Sequence, residues 1–299
     1  MKRVSILLIM FAVLLFSNLH AGEKAPLRVF ISVDIEGIWG VVQADQTMTD
    51  GRDYGLARKW MVQDVNAVIE GLLEAGATEI VVNDSHGGMR NIIADELHPK
   101  AALISGSPKP LAMMQGIDEP FAACIFVGYH AKAGTASAIL DHTISGGAVR
   151  AVRINGIELP ELGINGALAG YFKIPVIMLS GDEETCRQAK AILGGEIVTV
   201  AVKQGIGRYA AKLLPAEEAR KRLKEGAKEA LLKRDNVPVF KLNPPLNFEL
   251  ELLNSSQAEM PSQLPQVKRT APRSVAFSVN DYLEGFKLLR VLIALAAST

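Results

Sequence analysis

The chain alternates short apolar runs with longer amphipathic stretches through its first two thirds. Leu27–Val33 and Glu79–Asn83 are typical of buried strands, and between them Met61, Val65 and Leu72 recur at helical spacing. Further strands of the same buried kind are predicted over 101–104, 122–127, 175–179 and 196–202. Because these strands alternate with helices and have no polar face, the sequence predicts an α/β fold with a mostly parallel sheet flanked by helices.

The pattern changes near the middle of the chain and again in its last third. Asn155-Gly156 separates two short apolar runs and predicts a β-hairpin. Residues 246–252 and 275–279 alternate apolar and polar side chains, which is typical of strands with one solvated face. We therefore expect an α/β domain over 22–205 and a smaller C-terminal α+β subdomain over 206–299.

The first residues have the layout of a secretory signal peptide. Lys2 and Arg3 precede the apolar run Ile6–Phe16, and the more polar stretch Ser17–Gly22 follows it. The run has 11 residues, too few to span about 30 Å of hydrocarbon as a permanent helix. We expect a signal peptide over 1–21, a periplasmic or secreted protein, and no stable membrane span after cleavage. An uncleaved anchor helix is the alternative.

Composition and charge exclude several classes of protein. Lys plus Arg and Asp plus Glu both total 32, and only 6% of residues are aromatic, so no nucleic-acid partner is expected. The 2 cysteines form neither a disulfide scaffold nor a four-cysteine zinc site. Export would permit a bridge between Cys124 and Cys186, but two free, buried thiols fit the sequence better.

Metal-capable side chains follow three of the predicted parallel strands. Asp34 and Glu36 come directly after the first strand, His86 follows the second, and His130 follows the strand over 122–127. Since ligands of open α/β sheets bind at the carboxyl ends of the strands, we expect these four residues to converge. Mixed imidazole and carboxylate ligands suit zinc or a similar divalent ion, and a bridging carboxylate suits two ions.

Each of these residues also has a simpler interpretation. A lone histidine after a strand is usually hydrogen-bonded at the surface, and Asp34 and Glu36 would also serve as caps of the following loop. Convergence of three strand ends nevertheless favours a metal site.

Motifs along the mature chain carry a family resemblance. From about residue 28 to the C-terminus, the sequence resembles the D-aminopeptidases, metallopeptidases associated with dipeptide transport. The motifs occur in order at Ser32–Gly37, Val82–His86, Leu97–Pro99, Ile104–Gly106, Val127–Ala131 and Gly156–Gly163.

The resemblance implies an active site with two zinc ions per chain. Asp34 would bridge both ions, Glu36 would complete one of them, and His86, His130 and Glu161 would supply the remaining ligands. The resemblance also implies a ring-shaped homo-oligomer, a decamer, acting on short peptides.

The same resemblance makes His142, in Leu140-Asp141-His142-Thr143, the catalytic histidine. The segment from His130 to His142 is one residue longer than is usual in the family. Without the resemblance, His142 is typical of an exposed hairpin histidine, and Glu161 is typical of an acidic residue in the first turn of a helix.

We therefore expect an exported two-zinc aminopeptidase that hydrolyses short peptides with an N-terminal D-residue, typically D-alanine. Peptides derived from peptidoglycan contain such residues. Two alternatives remain: a periplasmic peptide- or metal-binding protein on the same fold, and a metal-dependent hydrolase of another amide or ester.

Overall fold

The computed structural model describes residues 26–299, so the signal peptide expected over 1–21 lies outside the described residues. The described residues contain twelve strands: β1 Arg28–Val33, β2 Glu79–Asp84, β3 Ala101–Ile104, β4 Ala123–Val127, β5 Val149–Ile154, β6 Ile157–Glu158, β7 Val176–Asp182, β8 Val198–Gly207, β9 Ala210–Leu213, β10 Leu246–Leu252, β11 Lys268–Ala271 and β12 Ser274–Val279. Five α-helices accompany them: α1 Tyr54–Glu74, α2 Glu161–Tyr171, α3 Glu183–Leu193, α4 Ala216–Leu232 and α5 Tyr282–Ala297.

The larger of two sheets has seven strands in the order β3-β2-β1-β4-β7-β8-β9. All neighbouring strands are parallel except β8 and β9, which form an antiparallel edge. The predicted mostly parallel sheet is thereby confirmed. Since β1 lies between β2 and β4, the carboxyl ends of these three strands are neighbours.

The second sheet is antiparallel and has five strands in the order β11-β12-β10-β5-β6. The predicted hairpin is present, because β5 and β6 pair across Asn155 and Gly156, whose φ angles are 52° and 79°. Both values lie in the left-handed region that this turn requires. The sheet combines the C-terminal strands with a hairpin from the middle of the chain.

Side chains on the two faces of the parallel sheet enter two separate hydrophobic cores. On β1, Val29, Ile31 and Val33 point to the core shared with α1 and α4. Phe30 points the other way, into a core that also contains α2, α3, α5 and the apolar face of the second sheet. Successive side chains of one buried strand therefore contact helices on opposite faces of the sheet.

Two of the five α-helices described begin with an aspartate side-chain cap. The side chain of Asp182 accepts a hydrogen bond from Thr185 N at 2.8 Å at the start of α3, and Asp281 accepts one from Glu284 N at 2.9 Å at the start of α5.

Among residues 26–299, no helix combines the length and the apolar character that crossing a membrane demands. Cys124 and Cys186 are both buried and free.

Candidate metal centre

Three of the predicted site segments meet where β2, β1 and β4 end. Asp34 directly follows β1, and its backbone N donates to Val127 O at 2.8 Å, which extends the pairing with β4. Ser85 N donates in the same way to Val33 O at 2.8 Å, one residue before His86. Strand pairing thus continues past the regular sheet and fixes the first residues of each loop.

Two glycines let these loops approach closely. Gly37 N donates to Gly128 O at 2.7 Å, and a Cβ atom at Gly37 would lie only 2.0 Å from Tyr129 O. Gly128 has a φ of 69°, and a Cβ atom there would lie 2.3 Å from Asp34 O. Only glycine fits at either position, so the segment after Asp34 can lie directly against the segment that carries His130.

Glu161 and His142 complete the cluster from a helix and a loop. Glu161 is the first residue of α2, and its Oε1 accepts a hydrogen bond from Ile144 N at 2.5 Å. His142 lies in the loop between β4 and β5, and its ring stacks on that of His130, with centroids 3.9 Å apart and planes 11° apart. The longer segment between the two histidines therefore still brings His142 into the site.

The six candidate side chains form two groups, and the carboxylate of Asp34, which belongs to the first group, also faces the second. Asp34, Glu36 and His86 make one group, and His130, His142 and Glu161 make the other, with candidate ligand atoms within 4.8 Å of one another in each. Asp34 Oδ1 lies 3.2 Å from His86 Nδ1, while Asp34 Oδ2 lies 3.5 Å from His130 Nε2. One carboxylate oxygen faces each group.

The three histidines are oriented from outside the cluster. His86 Nε2 lies 2.9 Å from Thr47 O, His130 Nδ1 3.0 Å from Ala131 O, and His142 Nδ1 2.9 Å from Leu140 O. Because a carbonyl oxygen only accepts, the outer nitrogen of each ring carries a proton. The inner nitrogen faces the carboxylates, as in protein metal sites whose histidines are held by carbonyl groups.

Two buried atoms at the centre have no hydrogen-bond partner within residues 26–299. They are Glu36 Oε2, which is 3.1 Å from His86 Nδ1, and His130 Nε2, which is 3.2 Å from Glu161 Oε1. The atoms are close, but they do not point at each other as donor and acceptor. A buried polar atom without a partner is costly, and a cation in each of the two groups would satisfy it. The residues present therefore fit divalent metal ions.

The electrostatics of the cluster also favour bound cations. Burial and the neighbouring Glu36 carboxylate raise the pKa of Asp34 to about 8. Burial alone would lower the pKa of His130, but the surrounding carboxylates, Glu161 above all, raise it to about 10. Both directions show that this buried set of carboxylates attracts positive charge, which metal ions supply.

A cavity of about 220 Å³ opens over the cluster. Asp34, His86, His142 and Glu161 form its charged floor, and its walls include Met89, Met113, Ile144, Asn165, Phe286 and Arg290. A wider cavity of about 600 Å³, lined by Arg150 and Arg208 among others, meets the same His142 from another side. His142 thus lines both cavities.

Lys203 and Arg290 are among the cations near the site that sequence reasoning missed. Lys203 on β8 is 2% exposed and donates from Nζ to Glu36 O at 2.6 Å, Ile38 O at 2.8 Å and Val41 O at 2.5 Å. Arg290 on α5 lines the smaller cavity. The only sequence signals were a lysine at the end of an apolar strand and an arginine one turn after Phe286 on an apolar helix.

Comparison with known proteins gives three concordant results. The family model described as D-aminopeptidase matches residues 27–291. A curated D-aminopeptidase from Bacillus subtilis (strain 168) is 37% identical over 277 residues, which cover 91% of this chain and 99% of that protein. A solved structure, the Zn-dependent D-aminopeptidase DppA from Bacillus subtilis, described as a self-compartmentalizing protease, superposes with a TM-score of 0.88. It is 35% identical over 91% of this chain and 98% of its own.

Proposed function

Because this chain belongs to the D-aminopeptidase family and is a metallo-aminopeptidase, we propose that it is an exported enzyme with two zinc ions per chain. Its substrates are short peptides that carry a D-residue, typically D-alanine, at the amino end. Peptides released from peptidoglycan have this chemistry and would reach an exported enzyme.

The position of Asp34 carries the proposal of two ions. Its two oxygens face different groups, Oδ1 towards His86 and Oδ2 towards His130. A carboxylate so placed suits a bridge between two ions, with Glu36 and His86 on one side and His130 and Glu161 on the other. Five ligands exceed what one zinc ion with an open position needs.

The roles of the protein groups follow from their placement. Zinc, when bound, supplies a Lewis acid that polarises a carbonyl group and acidifies water. His142 is held by its Nδ1–H···O bond to Leu140, so Nε2 points into the cavity. From there Nε2 can accept a proton from water and return it to the leaving amine. The apolar walls formed by Met113 and Phe286 limit the access of bulk water.

We also propose that the chain assembles into a ring-shaped homo-oligomer, a decamer. The solved relative is described as self-compartmentalizing, and the two chains correspond over almost their full length. A native mass measurement tests this assembly, and a stable monomer contradicts it.

Fractionation of cells that produce the full chain tests export, since the leader over 1–21 should be absent from the mature protein.

The decisive experiment combines metal analysis with hydrolysis of paired peptides. We expect close to two zinc ions per chain and cleavage of D-Ala-Gly-Gly, with much slower cleavage of the L-Ala counterpart. The Asp34→Ala variant serves as the control that has lost the bridge. A protein that takes up no zinc, or that cleaves neither peptide when loaded, contradicts the proposal.

A further inference from the structure

Arg290 is a half-buried cation without a partner in the described part of the chain. It lies on α5 and lines the cavity over the metal centre, beside Phe286 and Met113. Among residues 26–299 its guanidinium makes neither a hydrogen bond nor an ion pair with a carboxylate. Since a partly desolvated guanidinium is costly when unpaired, this position calls for an anion from outside the chain.

The other cations near the site are already engaged or lie elsewhere. Lys109 Nζ donates to Asn83 Oδ1 and to Asp84 O, each at 2.6 Å. Arg208 pairs with Asp141. Arg150 lines the wider cavity and is exposed, so water solvates it. Arg290 is therefore the cation that is both uncommitted and directed to the smaller cavity.

The carboxylates on the cavity floor do not neutralise Arg290. Glu161 Oε1 faces His130 and His142 and accepts the backbone N–H of Ile144. Burial lowers the pKa of Arg290, and the charge of Glu161 offsets this only in part. The arginine stays positively charged, because its ordinary pKa is far above neutrality, and it can pair with a second anion.

A short peptide offers one anion at a defined distance from its scissile bond. An aminopeptidase cleaves after the first residue, so in a dipeptide or tripeptide the C-terminal carboxylate lies one or two residues beyond the metal centre. The cavity of about 220 Å³ is smaller than the usual ligand pocket of about 300–1,000 Å³, so it suits such a ligand. Guanidinium and carboxylate form a bidentate pair that fixes both position and direction.

We propose that Arg290 binds the C-terminal carboxylate of dipeptide and tripeptide substrates and so determines the enzyme's preference for short peptides. This inference rests on the proposed peptidase function and names the substrate class of the same site. Arg290 acts at the end of the substrate remote from the reacting bond, and Phe286, one turn before it, forms the wall beside it.

The test compares peptides with a free and an amidated C-terminus. With D-Ala-D-Ala and D-Ala-D-Ala-amide, we expect the zinc-loaded enzyme to have a kcat/KM for the free acid about 10- to 100-fold higher, since the pair is charge-assisted. Arg290→Gln should remove this preference, chiefly through KM, and leave the amide almost unaffected. Arg150→Gln is the matched control and should keep the preference.

A binding experiment supplies a readout that is independent of turnover. In the His142→Ala background, calorimetry should show the free acid binding about 10- to 100-fold more tightly than the amide, and Arg290→Gln should reduce the ratio to near one. Unchanged circular dichroism and melting temperature should accompany the Arg290 variant. A variant that fails to fold can be replaced by Arg290→Lys, which keeps the charge but loses the bidentate geometry and should keep part of the preference.

Three outcomes would overturn the inference while the peptidase function stands. The first is equal hydrolysis of acid and amide by the wild-type enzyme. The second is an equal loss of kcat/KM for both substrates in Arg290→Gln, which would place Arg290 at the reacting carbonyl. The third is loss of the preference in Arg150→Gln instead. Failure of the proposed function looks different, because neither D-Ala peptide would then be cleaved or bound, whatever its C-terminus.

Discussion

Replacing Lys203 should loosen the loop that carries Glu36. Its ammonium group is buried and donates to the carbonyl oxygens of Glu36, Ile38 and Val41. Lys203→Met keeps a chain of similar length but leaves three buried acceptors without a donor. Each such acceptor costs about 1–3 kcal/mol, while the variant no longer pays desolvation of the ammonium group. The three acceptors together would cost about 3–9 kcal/mol, and the desolvation that the ammonium group no longer requires offsets part of this cost. We therefore expect a net loss of about 3–5 kcal/mol in the free energy of unfolding.

Urea unfolding of the zinc-loaded protein measures this loss, and the melting temperature should fall by about 10 °C. Zinc affinity should fall about tenfold or more, because the backbone of a ligand loses its support, and competition with a chelator measures that change. The matched control is Lys212→Met, since Lys212 lies exposed on the neighbouring strand β9. If Lys203→Met changes stability by less than about 1 kcal/mol, as a surface substitution does, the reasoning is refuted.

The other predictions concern the metal centre itself. Asp34→Ala should remove both zinc ions and all activity, whereas Glu36→Ala should weaken one ion chiefly, as elemental analysis of the purified variants would show; equal, mild effects would contradict the bridging role of Asp34. His142→Ala should retain its zinc and its fold but lower kcat by about 10²–10⁴-fold, and loss of zinc would instead make His142 a ligand. Removal of zinc by a chelator should lower the melting temperature and added zinc should restore it, since zinc at 100 times its Kd stabilises by about 2.7 kcal/mol. An unchanged melting temperature would show that the buried carboxylates do not depend on the ions.

The pattern of apolar positions predicted the part of the site that depends on the parallel sheet. Each of β1, β2 and β4 contains a short apolar run and is followed by Asp34, His86 or His130 within three residues. Parallel pairing of these neighbouring strands brings their carboxyl ends together, so the convergence needed no knowledge of distant contacts. The placement of Glu161 and His142 came from the family resemblance, because one lies on a helix and the other in an irregular loop.

The residues that sequence reasoning missed depend on local irregularity and on long-range packing. The strand predicted over 196–202 in fact begins at Val198 and continues to Gly207. Its register shifts opposite Gly181 and Asp182, which skips Val202 and pairs Asp182 with Lys203. That irregularity breaks the period-two alternation, so the inward position of Lys203 could not be predicted. Arg290 could not be identified from the sequence, because the packing of α5 determines which face of that helix lines the cavity.

Assembly of the site from distant segments has a consequence for the order of folding events. Asp34 follows the first strand of the described chain, whereas Glu161 begins a helix that shares its hydrophobic core with the second sheet. No short fragment contains both groups of side chains, so high-affinity zinc binding requires several long chain closures first. We therefore expect metal uptake to be a late event. Zinc should bind tightly only to molecules in which α2 has already packed into the core beside the parallel sheet. Zinc content of a preparation would then report the fraction of molecules whose folding has reached completion.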